Sequence, residues 1–99
     1  MKSLKDFIIE ESRQTQIEVL RDEVSQILKP FGNKKEGFKK DFDQDEVDDL
    51  MSREGWEFSK EEEDNKDHVM TYIWSKQDYE CHIFVDPMKK RILNFNIFS

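Results

Sequence analysis

The apolar positions between residues 17 and 31 predict the clearest helix of the chain. Ile, Leu, Val, Ile and Phe stand at positions 17, 20, 24, 27 and 31, and this spacing of three and four places them on one helical face. Thr15 and Glu18 form a capping-box pattern, and Pro30 disfavours helical geometry in the residue before it. We therefore expect a helix from about Thr15 to Lys29.

A second, shorter helix is predicted between residues 43 and 55. Asp43 or Asp45 can cap its first turn, and Gly55 stands where a helix commonly ends. Its buried face would consist of Val47, Leu50 and Met51. Residues 32–42 contain two glycines and little periodicity, so we expect a loop between the helices.

After residue 55 the apolar pattern changes to the period of two that is typical of strands. Trp56 and Phe58 begin the first strand, and three more cover 69–74, 79–85 and 92–98, separated by polar turns. Four strands with short connections predict an antiparallel meander. The expected fold is α+β, with two N-terminal helices packed on a four-stranded antiparallel β-meander in the order α-α-β-β-β-β.

Both faces of this sheet are rich in apolar residues. We expect the core face to take Val69, Thr71, Ile73, Tyr79, Cys81, Ile83, Val85, Leu93, Phe95 and Ile97. The opposite face would then carry Met70, Tyr72, Trp74, His82, Phe84, Ile92 and Phe98, whereas a solvated sheet face normally alternates with polar residues. Either the N-terminal segment or the second helix covers it, or Tyr72, Trp74 and Phe84 bind a partner or a second copy.

Length and composition predict one domain over residues 1–99. Its twelve aromatic residues supply a hydrophobic core despite an apolar fraction of only 35%. Cys81 is the only cysteine, which excludes an intramolecular disulfide and fits a reducing, cytoplasmic location. No apolar run is long enough for a membrane span or a standard secretion signal, so we expect no membrane partner.

The net charge of −7 is divided sharply along the chain. Residues 29–40 carry five lysines and one glutamate, whereas residues 41–64 carry twelve acids and two basic residues. An acidic protein repels nucleic acid and anionic membranes. We therefore expect a basic protein partner and no direct binding of nucleic acid.

The candidate motifs for chemistry are weak. The acids at 41, 43 and 45 match the start of a calcium loop, but Glu46 and Ser52 stand where glycine and glutamate are required. Cys81 and His82 would point to opposite faces of one strand, and His68 lies beside a turn. We expect no catalytic residues, no metal site, no cofactor and no enzymatic activity.

The acidic segment supports a sharper hypothesis. A helix rich in aspartate followed by a run of glutamates could present carboxylates like nucleic-acid phosphates and so occupy the basic cleft of a nuclease or DNA-binding protein. The residues predicted to bind are Asp45, Asp48, Asp49, Glu57, Glu61, Glu62, Glu63 and Asp64. The competing interpretation is a solvated face that only keeps the protein soluble.

The first ten residues, MKSLKDFIIE, followed by Glu11 and Ser12, resemble the N-terminal leader of T-even-type phage internal head proteins. Those leaders begin with Met-Lys, carry Phe-Ile near position seven, and are processed after a glutamate preceded two positions earlier by an apolar residue. The resemblance implies that Ile8 and Glu10 form the processing motif and that the mature domain begins at Glu11. We also expect the N-terminal turns, residues 1–11, to be a detachable segment. It also implies a protein packaged and ejected with DNA, as are some inhibitors of host restriction.

Two functions follow as hypotheses. The first is a phage-encoded, non-enzymatic inhibitor of a basic nucleic-acid-binding host or defence protein, acting in the bacterial cytoplasm. The second is a structural or virion-associated protein that self-associates, for example as a homodimer, through the apolar second face of its sheet.

Overall fold

The computed structural model describes residues 4–64 and 66–99, with side chains described from Thr15 onward. Two helices, a small two-stranded sheet and a four-stranded sheet make up the fold. In chain order the elements are α1 (Leu4–Ile27), β1 (Gly32–Asn33), β2 (Gly37–Phe38), α2 (Gln44–Arg53), β3 (Glu57–Asp64), β4 (Val69–Lys76), β5 (Tyr79–Asp86) and β6 (Arg91–Phe98).

The four long strands confirm the predicted α+β class and the antiparallel meander. Their spatial order is β3-β4-β5-β6, so each strand pairs with the next strand of the chain. Short turns with alternating apolar residues favour this arrangement, since consecutive antiparallel strands need only a tight connection. Strands β3 and β6 form the two edges of the sheet.

Helix α1 differs from the prediction at its start. It begins at Leu4 instead of Thr15 and continues without a break through the polar run from Glu10 to Gln16. Glutamate, arginine and glutamine have good helix propensity, so a polar stretch can extend a helix without an apolar stripe of its own. The side chains of residues 4–14 and all of residues 1–3 lie outside the described part of the chain, and the detachable segment 1–11 stays a prediction.

A hairpin separates the two helices, so the expectation of two consecutive N-terminal helices is wrong. Strands β1 and β2 pair within the segment predicted to be a loop. Gly32 has a φ of +137°, and a Cβ atom there would lie 2.4 Å from the carbonyl oxygen of Gly37. The hairpin therefore requires glycine at this position.

Helix α2 begins and ends at the residues that the sequence predicted. The Asp43 side chain accepts hydrogen bonds from the backbone N–H groups of Asp45 and Glu46 at 3.0 and 3.2 Å. Gly55 follows the helix with a φ of +88°, and Val47 and Met51 are buried. Helix α2 lies on the β3 side of the sheet and α1 on the β6 side.

The register of the sheet overturns the predicted division into two faces. Tyr72 lies opposite Ile83 and Trp74 opposite Cys81, and residues directly opposite each other in an antiparallel pair share a face. The even positions of β4 therefore join the odd positions of β5 on the helix-covered face. The prediction assumed that the odd positions of both strands face the same way, which the actual pairing does not allow.

A β-bulge changes the assignment of β6 in the same way. Phe84 pairs with Asn94 and Val85 with Ile92, so Leu93 is the extra residue. Ile92 is buried in the core, whereas Leu93 is 52% exposed, the reverse of the prediction. Phe95 and Ile97 are buried as expected.

Each tryptophan in the core donates its indole N–H to a carboxylate on a helix. The Nε1 of Trp56 lies 3.2 Å from Glu23 Oε1, which also accepts from Lys76 Nζ at 2.9 Å. The Nε1 of Trp74 lies 3.0 Å from Asp48 Oδ1. These bonds satisfy the buried indoles and fix each helix against the sheet.

Candidate functional site

Strand β3 forms an acidic edge, defined as Glu57–Asp64. All eight of its residues are exposed, and five of them are Glu or Asp against one lysine. Its sequence alternates poorly in hydrophobicity, and pairing with β4 is what makes it a strand. The acids predicted from the glutamate run are therefore arranged in line on a sheet edge.

The acidic edge presents different charges on its two sides. Glu61 lies opposite Tyr72 and Glu63 opposite Met70, which places both glutamates on the helix-covered face of the sheet. The register shift after Phe58 brings Lys60 opposite Ile73, on the outer face. The outer side thus holds the strand's only lysine, and the side of Glu61 and Glu63 is purely acidic.

Some predicted acids already have partners within the protein. Lys60 Nζ lies 2.9 Å from Glu62 Oε1, and this hydrogen bond lowers the pKa of the Glu62 carboxyl and raises the pKa of Lys60. Asp64 accepts from two backbone N–H groups of the following turn. Within the described part of the chain, the side-chain carboxylates of Glu57, Glu61 and Glu63 have no hydrogen bond or ion pair.

The acids of α2 extend the negative surface, but some of their carboxylates already have a partner within the protein. Asp45 is exposed in the first turn, where the positive end of the helix dipole favours it. Asp48 is the acceptor for Trp74, and Asp49 forms an ion pair with Arg53 at 2.7 Å. Asp48 and Asp49 thus have structural partners in addition to any external one.

The three residues predicted to form an apolar contact surface do not share a face. Trp74 is fully buried in the core, and Tyr72 packs on Phe42 with ring centroids 4.7 Å apart. Burial, reinforced by the charge of Glu61, raises the pKa of Tyr72. Phe84 lies on the opposite, outer face because it pairs with Thr71. The predicted single surface of Tyr72, Trp74 and Phe84 is therefore wrong.

The outer face nevertheless retains an aromatic patch. The core that both helices share with the sheet lies on the opposite face. His82 stacks edge-on against Phe98 with centroids 4.6 Å apart and lies 6.5 Å from Phe84. Ile73 is only 1% exposed even though it lies on this face. This patch was missed because the register was misassigned.

A cleft of about 700 Å³ lies between the segment before α2 and the ends of β4 and β5. Phe42 and Tyr72 form part of its wall. Its charged lining is mixed, because Lys40 forms an ion pair with Glu46 at 2.6 Å and Lys90 stands with two aspartates. The backbone N–H of Phe42 donates to the carbonyl of Lys90 at 2.6 Å, which holds the segment across the end of the sheet. No periodicity in the sequence could have predicted this cleft, because its wall comes from an irregular segment.

The two charged zones of the sequence lie at opposite edges of the sheet. The hairpin of β1 and β2 packs beside β6, and the ammonium of Lys34 stands 4.2 Å above the ring of Phe95. Burial, together with the nearby charge of Arg21, lowers the pKa of Lys34. The acidic edge lies across the sheet from this basic hairpin, so the molecule is electrically polar.

Among the described residues, those with reactive or metal-binding side chains form no cluster of three His, Cys, Asp or Glu that could hold a metal ion. Burial raises the pKa of the Cys81 thiol to about 12, which leaves it a poor nucleophile at neutral pH. Among the helices described, none is long and apolar enough to cross a membrane.

Comparisons of this chain with protein-family models, with curated proteins and with solved structures found no match.

Proposed function

We propose that this protein is a small acidic binding protein without enzymatic activity, and that it inhibits a basic nucleic-acid-binding protein by occupying its nucleic-acid site. The observation that carries the proposal is the acidic edge, where the carboxylates of Glu57, Glu61 and Glu63 are exposed and have no partner among the described residues. Carboxylates that are not neutralised internally are available to cations of another protein.

The spacing of the acids supports mimicry of a nucleic-acid strand. Residues 61–64 are four consecutive acids in a β-strand, where each residue advances by roughly 3.3 Å. One strand of duplex DNA carries one phosphate charge per roughly 3.4 Å of helix axis. A partner that approaches the edge of β3 between its two faces would therefore meet a similar linear charge density, whereas one that contacts a single face meets Glu61 and Glu63 at about twice that spacing.

The polarity of the molecule supports the same function. The basic hairpin at the β6 edge would be repelled by a basic partner, whereas the acidic edge would be attracted. Complementary charge of this kind orients an approaching partner and raises the association rate, and added salt weakens the effect. The resemblance of the first ten residues to a phage leader supports a bacterial host protein as the partner, met in the cytoplasm after delivery from the virion.

The proposal is tested by capture from a bacterial lysate at low and at high salt. The double variant Glu61→Lys with Glu63→Lys should lose a salt-sensitive basic partner that the wild-type protein retains. Glu18→Lys with Asp22→Lys is the matched control, because both residues are exposed on α1 and the change in net charge is the same. Equal capture by both double variants would contradict the assignment to the acidic edge.

A second candidate function is self-association through the outer face, in a structural or virion-associated role. It is favoured by the aromatic patch of His82, Phe84 and Phe98, which lies opposite the core that both helices share with the sheet. Sedimentation velocity would test it: Phe84→Asp should dissolve a dimer that persists in high salt. Val19→Asp, at an equally exposed apolar position on α1, should leave that dimer intact. A wild-type protein that sediments as a monomer at all concentrations would rule this function out.

A further inference from the structure

We infer that the basic partner supplies an extended segment that pairs with β3 as a fifth strand, with Lys or Arg at alternate positions facing Glu61 and Glu63. This inference rests on the proposed binding function and names the mode of recognition. It is carried by the open hydrogen-bonding edge of β3 together with the distribution of charge along that edge.

The two edges of the four-stranded sheet differ in how far they are obstructed. At the β6 edge, Asp41 forms a bridge with Arg91, and the side chains of these two residues form an ion pair at 2.8 Å. The bulge at Leu93 further interrupts that strand. In the described part of the chain, β3 pairs only with β4, and all eight of its residues are exposed.

The open part of β3 is long enough for strand addition. Residues 60–64 keep one unbroken register with β4 after the bulge near Phe58. In an edge strand, alternate residues direct their backbone N–H and C=O groups away from the sheet, and an extended peptide can satisfy them. The backbone thus offers affinity without regard to sequence, and side chains must supply selectivity.

The side chains of β3 select a basic segment with a period of two. Glu61 and Glu63 project to the same face, so cations two residues apart in an added strand would lie beside them. On the outer face the Lys60 ammonium already neutralises Glu62.

The same charges exclude a second copy of this chain from the edge. Pairing two β3 strands would bring glutamates of both copies together, and like charges placed opposite each other destabilise a strand pair. Acidic residues on an edge strand therefore prevent self-pairing while they favour a basic strand. Charge complementarity thus points to a basic extended peptide as the occupant.

The experiment measures binding of synthetic peptides to the full chain by fluorescence anisotropy at low salt. The probe is a nine-residue peptide in which lysine alternates with threonine or valine. One control has the same composition with its lysines consecutive, and a second has two adjacent central amides N-methylated so that neither peptide edge can pair. We expect both controls to bind about tenfold more weakly than the probe, because each removes one of the two recognition elements.

Two protein variants locate the binding site. Glu61→Gln with Glu63→Gln should reduce the affinity for the probe peptide by about tenfold. Glu18→Gln with Asp22→Asn should leave that affinity unchanged. Bound peptide should also slow amide hydrogen exchange within residues 60–64. Equal binding of the N-methylated and unmodified peptides would overturn strand addition.

The outcomes separate this inference from the proposed function. Loss of all peptide binding, with salt-sensitive capture of a lysate protein retained through Glu61 and Glu63, would overturn strand addition and leave the binding function standing. Loss of both the peptide binding and the lysate capture would overturn both strand addition and the proposed binding function. Equal affinities for the alternating and the consecutive lysine peptides would overturn the requirement for a cation at every second position.

Discussion

The hydrogen bond between Trp74 and Asp48 gives a direct energetic test of the fold. The indole is fully buried, and its Nε1 lies 3.0 Å from the carboxylate on α2. Trp74→Phe removes this donor and part of the ring that packs against Phe58 at 5.2 Å. We expect the variant to lose about 2–3 kcal/mol of unfolding free energy, of which about 1.5 kcal/mol comes from a hydrogen bond to a partly solvated carboxylate and the rest from the cavity.

A double-mutant cycle isolates the hydrogen bond from the cavity. Asp48→Ala should cost about 1–2 kcal/mol because it leaves the buried indole without an acceptor. The double variant should cost about 1 kcal/mol less than the sum of the single variants, since the bond can be lost only once. Urea denaturation followed by circular dichroism measures all three. The pair Trp74→Phe with Asp45→Ala is the control, because Asp45 makes no side-chain contact with Trp74 and its effect should add within about 0.5 kcal/mol.

If the losses of unfolding free energy in Trp74→Phe and Asp48→Ala simply add in the double variant, the placement of α2 over β4 is refuted. The same cycle bears on function, because Asp48 is among the acids predicted to contact a partner. If the Asp48 carboxylate is occupied by its hydrogen bond to the indole, Asp48→Ala weakens partner binding only through the loss of folded structure. Binding measured well below the melting temperature separates the two effects.

Three further predictions concern stability. Gly32→Ala should be much more destabilising than Gly37→Ala in thermal unfolding, because a Cβ at Gly32 meets backbone at 2.4 Å whereas nothing lies within 4 Å at Gly37; similar melting temperatures would contradict the hairpin. Asp43→Ala should remove the cap of α2 and lower stability by about 1 kcal/mol, a fall of about 4–8 °C in melting temperature. Because the folded pKa of Cys81 is raised to about 12, the neutral thiol's contribution to stability is complete below its ordinary pKa near 9 and is lost as pH rises toward 12. Denaturant titrations at pH 8 and pH 11 should therefore show a larger loss for the wild-type protein than for Cys81→Ala.

The sequence predicted the elements of this fold better than their pairing. Alternation and turn residues located the last three strands, and Asp43 and Gly55 marked the ends of α2. These features depend on local backbone preferences, which a single sequence carries. The start of α1 was missed because a polar helix leaves no apolar stripe.

Register was the property that local patterns could not supply. When both faces of a strand are apolar, a shift by one residue gives an equally hydrophobic core, so Trp74 and Ile73 could not be assigned in advance. The bulge that turns Leu93 outward is likewise a consequence of pairing. The same limit applies to the candidate site. The acidic residues are evident in the sequence, but only the register shows that Glu61 and Glu63 lie on one face of the sheet and Glu62 on the other.

The packing of α1 against β6 has a consequence for how the chain folds during synthesis. Among the described elements these are the first and the last to be made, yet they share one core. The β-hairpins join neighbouring segments and can form early, because closing a short loop costs little entropy. Leu20, Val24 and Leu28 instead remain without their full cover until β6 has been synthesised, so once α1 has left the ribosome the nascent chain exposes this apolar surface to chaperones.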